Sequence, residues 1–97
     1  MDFFLKNLKE TIEAINKLMD RNITIVNTKR IRRCNNIKSS NRSKINFIWR
    51  TLDYLKNKGM LEINGFTNPK TYKINVNEKI EIDNFLSQAE KERKNRI

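Results

Sequence analysis

Ser43, Asn46, Phe47 and Arg50 recur at i, i+3, i+4 and i+7, the spacing that sets four side chains on one face of a helix. Their types suit one chemistry. An Arg guanidinium can fork onto the acceptors of guanine, and an Asn amide can pair with the edge of adenine. A Ser hydroxyl is compatible with either base, and a Phe ring can pack on a thymine methyl. For Phe47 a packing or subunit contact is the alternative. Around these four lies a cationic run of Lys29, Arg30, Arg32, Arg33, Lys38, Arg42 and Lys44. Such side chains neutralise phosphates without distinguishing bases. The Ser39 and Ser40 hydroxyls can join them, or, like the Asn41 side chain, cap the helix that follows.

The charge distribution sharpens this. Residues 23–59 hold ten of the 21 Lys and Arg but one of the 11 acids, Asp53. Residues 1–22 and 77–97 are each balanced, four against four and five against five. Like charge gathered on one stretch stores self-repulsion that a polyanion relieves.

Elements must hold these groups in place. Residues 2–20 read as a helix capped by Asp2, with Phe4, Leu8, Ile12, Ile15 and Leu18 on one stripe. The β-branched run Ile23–Val26 reads as a brief strand. Asn27 or Thr28 caps a short basic helix to about Asn35, with Ile31 and Cys34 inward, and Asn35 and Asn36 break it. A third helix spans about 40–58, burying Ile45, Ile48, Leu52 and Leu55 and ending at Gly59. Trp49, at the edge of that stripe, is assigned to the core or an interface ahead of a base-stacking platform. Met60–Ile63 and Thr71–Val76 alternate as a hairpin, with Leu61, Ile63, Tyr72, Ile74 and Val76 inward. Residues 77–93 form a last helix with Ile82, Phe85, Leu86 and Ala89 as its stripe, and 94–97 fray.

With 97 residues, 37% apolar and 33% charged, the pattern fits one domain, 1–97, mainly α with a small β hairpin (α+β). One Cys and no His exclude an internal disulfide and a zinc site. Cys34 is expected to be a small buried residue, and its basic neighbours leave a redox role open. No Cys–His pair, Gly-rich phosphate loop or paired acid supports catalysis, so no enzyme, metal, cofactor or small-molecule ligand is expected. Met1 is followed by Asp2, and charge returns at Lys6 and Lys9, so no secretory leader is expected. No run suits a membrane span, and the setting expected is cytoplasmic, with the nucleoid.

The stretch Leu52-Asp53-Tyr54-Leu55-Lys56-Asn57-Lys58-Gly59-Met60-Leu61, followed by Thr71-Tyr72-Lys73-Ile74, resembles the recognition-helix exit and returning strand of winged helix-turn-helix domains. The resemblance covers residues 3–76. It implies the order helix, strand, helix, helix, strand, wing, strand, helix, and a double-stranded DNA-binding transcription regulator. A repressor is expected over an activator, since no sensing or activation module is visible. The resemblance places Asn68 and Lys70 on the wing. It also implies, as in small archaeal, viral and plasmid-borne versions, a C-terminal helix that builds a homodimer. The first and last helices also carry more apolar surface than so small a core needs, and Phe4, Leu8, Ile82, Phe85 and Leu86 are the interface expected. Two rivals stand beside this reading: a sequence-independent architectural DNA-binding protein, and a winged-helix protein-interaction adaptor.

Overall fold

Apolar residues at three- and four-residue steps make the first helix, α1 (Phe3–Asp20), and its stripe is buried from Phe4 to Leu18. The computed structural model describes residues 3–65 and 70–94, so the expected cap at Asp2 lies outside the described residues. After α1 come β1 (Ile25–Val26), α2 (Thr28–Cys34), α3 (Arg42–Asn57), β2 (Leu61–Ile63), β3 (Tyr72–Ile74) and α4 (Ile82–Lys94). The protein is thus mainly helical, with one antiparallel sheet in the order β1-β3-β2.

Three helices end by the same device. Asn22, Asn36 and Gly59 take positive φ, at 60°, 55° and 81°. In each case the next residue bonds back to the carbonyl five earlier: Ile23 to Leu18, Ile37 to Arg32 and Met60 to Leu55, all at 3.0 Å. This closure satisfies carbonyls that a helix end leaves bare. It also explains why β1 is shorter than expected. Ile23 is tied into the α1 ending, so pairing starts at Ile25, opposite Lys73.

The core is a wedge between α1 and α3. Ile48, Leu52 and Leu55 of α3 are buried against Leu8, Ile12 and Ile15 of α1, with Ile31 of α2 beside them. Ile45, expected on that stripe, is only half-buried. Its place is taken by Thr51, which is fully buried. Thr51 Oγ1 donates to the Ile48 carbonyl at 2.9 Å, so the 2.9 Å contact with Thr11 is donated by Thr11. One hydroxyl pair is thereby satisfied inside the α1–α3 interface.

The sheet closes one end of the wedge. Leu61 pairs with Ile74 and Ile63 with Tyr72. Leu61, Tyr72 and Ile74 are buried, but Ile63 is 47% exposed, against expectation. Ile63 sits at the end of β2 nearest the hairpin tip, two residues beyond buried Leu61. Tyr72, on the central strand, is covered from both sides. Its hydroxyl is buried with no hydrogen-bond partner among the described residues. Burial, then the nearby Asp53 charge, pushes its pKa above the ordinary 10.0. The folded chain therefore keeps that proton as the unfolded chain loses it, and stability falls as pH rises past 10.0. Tyr72→Phe should raise stability at neutral pH by about 1 kcal/mol, since an orphaned buried hydroxyl is removed. It should also blunt the alkaline loss. Urea melts at neutral and alkaline pH check both.

The last helix begins at Ile82 and not at 77. The Asn16 amide holds the chain just before it, donating to the Ile80 carbonyl at 3.0 Å and accepting the Ile80 N–H at 2.9 Å. That doubly bonded clamp fixes Ile80 extended, buried against the core. Ile82, expected on the buried stripe, is half-exposed, while Phe85, Leu86 and Ala89 are buried. Helix α4 continues to Lys94, so the fraying expected at 94–97 is not seen at Lys94, and 95–97 lie outside the described residues. Phe4, Tyr54 and Phe85 form an edge-to-face series, with ring centres 5.5 and 6.1 Å apart, joining α1, α3 and α4. Phe4, Leu8, Phe85 and Leu86, expected between two copies, are therefore covered within one chain. The apolar surplus of α1 and α4 is used against each other. Among the described residues no helix is long and apolar enough to cross a membrane.

Candidate nucleic-acid interface

Helix α3 turns its buried side to α1 and leaves the other side open. Of the three possible caps, Ser39, Ser40 and Asn41, it is Asn41 that serves, its side chain accepting the Lys44 N–H at 3.2 Å, and Ser39 and Ser40 stay exposed in the preceding turn. The open face carries Arg42, Ser43, Asn46, Trp49, Arg50 and Asn57, all exposed. Three of the four residues assigned to base contact, Ser43, Asn46 and Arg50, are thus brought together at the surface. Phe47 is not fully among them. It lies at the edge of that face, partly packed against the core, and the Arg50 guanidinium sits 5.6 Å from its ring centre. Phe47 therefore positions Arg50 by a cation–π contact as much as it presents a surface of its own.

Trp49 lies outside the core, one of the two places expected for it, and is 46% exposed. On its N-terminal side a shallow depression is lined by Thr28, Ser39, Arg42, Ile45 and Asn46. On its C-terminal side another is lined by Phe4, Arg50, Asp53, Tyr54 and Glu92. The indole is the ridge between a cationic half and a half that carries acids.

Residue placement divides the cationic run. Lys29, Arg33, Lys38 and Arg42 are exposed, and none pairs with an acid among the described residues. Arg30 is also exposed, though one N–H is held by the Ile25 carbonyl at 2.9 Å. Arg21, Lys29, Arg30 and Arg33 line a recess floored by Leu18 and Cys34, with no acid on its wall. Arg21 is a member that sequence reasoning missed, because it belongs to the charge-balanced first third. Cys34 is partly exposed there, where a buried position was expected.

Two cations assigned to phosphate are engaged elsewhere. Lys44 Nζ bonds Glu10 Oε2 at 2.8 Å and Asn7 Oδ1 at 3.1 Å, which turns it toward α1. Arg32 donates to the Ile37 carbonyl at 2.9 Å and braces the turn between α2 and α3. Lys70 is exposed beside the hairpin tip, and Asn68 lies outside the described residues.

Compared with protein-family models, with curated proteins and with solved structures, the chain gives no significant match in any of the three.

Proposed function

We propose that the protein is a winged helix-turn-helix regulator that binds double-stranded DNA, with α3 in the major groove and the cations of α2 and the α2–α3 turn on flanking phosphates. A single observation carries this reading. An open helix face with Ser43, Asn46 and Arg50 stands next to cations that no acid of the described chain neutralises. The depression shared by Thr28, Ser39, Arg42 and Asn46 makes the two regions one surface. The order of helices and strands supports this reading, with Lys70 beside the hairpin.

In this reading Arg50 and Asn46 read base edges, while Lys29, Arg30, Arg33, Lys38 and Arg42 hold register on the backbone. Lys44 and Arg32 shape the scaffold instead. The simplest mode of regulation is repression by occupying a site. Two copies on a quasi-palindromic site would meet through apolar groups still open on α1 and α4, such as Phe3, 74% exposed, and Ile82.

Selection of bound fragments from a random duplex pool tests the proposal. A recovered consensus supports it, and recovery without consensus gives the architectural rival. Arg50→Ala should flatten preference at one or two positions of the consensus, by about 1–3 kcal/mol. Lys29→Ala should weaken all duplexes alike and lower the salt slope by about one. Anisotropy titrations on consensus and single-mismatch duplexes check this. The division of roles fails if both variants lose the same affinity on every duplex.

A further inference from the structure

Trp49 has a large apolar plane, close to half of it in water, in the middle of the α3 face. No described part of the chain covers it. Ile45 and Asn46 are its neighbours one helical turn back, Arg42 lies two turns back, and Arg50 is next along the chain. An exposed indole ringed by polar and cationic groups marks a contact surface. The charges around it select the partner. Two acids, Asp53 and Glu92, line the depression on its C-terminal side, where each is paired: Asp53 with Lys56 at 3.5 Å and Glu92 with Lys58 at 2.5 Å. The side toward α2 is cationic and unpaired.

We infer that Trp49 reads thymine in the major groove, its ring packing on the C5-methyl beside the bases contacted by Asn46 and Arg50. The inference rests on the DNA-binding reading and assigns that surface a third specificity-determining residue. Thymine is the base whose major-groove edge carries a methyl group beside an acceptor, O4. An indole offers an apolar face and a single N–H donor and accepts nothing. It therefore suits thymine and leaves the donor groups of adenine and cytosine without a partner. The sequence-based assignment of the thymine contact to Phe47 moves to Trp49, because Phe47 is turned partly inward beneath Arg50.

The test uses the full chain and the duplex that wild-type protein enriches from a random pool, end-labelled for anisotropy. Each thymine is replaced in turn by uracil, which removes the methyl alone. At one position of each half-site, uracil should lower wild-type affinity about fourfold, the worth of one buried methyl. Trp49→Ala should bind both versions of that duplex equally. Trp49 is the only tryptophan in the chain, so its emission reports directly on the contact and should shift on binding. Uracil tolerated at every position overturns the inference, as does unchanged emission on a bound duplex, and in both cases the DNA-binding reading stands. Failure to bind or enrich any duplex overturns that reading and this inference with it.

Discussion

Exchanging Lys29, Arg33, Lys38 and Arg42 together for Gln will cut duplex affinity by nearly three orders of magnitude at physiological salt. It will also lower the slope of log affinity against log salt by about three to four. Counterion release sets the size of the effect. Each phosphate neutralised frees close to one condensed cation, and at about 0.15 M salt each release is worth roughly 0.7 log units. These four side chains are exposed and make no ion pair among the described residues. Removing them therefore breaks no internal contact, and the fold should survive with unchanged helicity. Lys44→Gln is the contrast. Its ammonium is held by Glu10 and Asn7, so its loss should leave the salt slope nearly intact and act on stability, within about 1 kcal/mol for a pair this exposed. Anisotropy titrations at several salt concentrations, with circular dichroism on each variant, separate the two outcomes.

Leu52→Ala will destabilise the protein by about 2–5 kcal/mol, the range for emptying a leucine site in a packed core. Leu52 is completely buried, midway along α3, where the α1 and α3 stripes meet. For a domain of this size total stability is of the order of 5–15 kcal/mol, so one truncation removes a large share of it. Asn57→Ala, on the open face of the same helix, should change stability by less than about 0.5 kcal/mol. Urea midpoints for the pair test whether α3 is oriented as described. Similar losses in both would contradict the division of the helix into a covered and an open side.

Which features were legible in the sequence follows from how local their causes are. Helix endings at Asn22, Asn36 and Gly59 depend on one residue's tolerance of positive φ and its next few neighbours, and the sequence placed all three within a residue or so. The buried line Ile48, Leu52 and Leu55 follows from helical period alone. What escaped depends on contacts across the fold. Thr51 is polar, and only its partner Thr11, forty residues earlier, makes its burial tolerable. The start of α4 is set by Asn16, whose amide clamps Ile80, and no pattern in residues 77–81 announces that. Lys44 counts as one more cation until Glu10 and Asn7 are seen beside it.

Trp49 is a different case, because its position was available. It lies four residues after Ile45, at the border between the buried stripe and the open arc of the helical wheel. Its residue type drew it to the covered side of that border. Residue type misled similarly at helices α1 and α4, whose apolar side chains suggested a subunit interface. The Phe4–Tyr54–Phe85 series instead ties the two helices into the core of one chain.

The most direct measurement of the whole account is the affinity of wild-type protein for its selected duplex against a scrambled duplex of equal composition, at fixed physiological salt. The account predicts a ratio of at least about a thousand. Equal affinities would contradict base reading by the α3 face, and no measurable binding to either duplex would contradict DNA binding altogether.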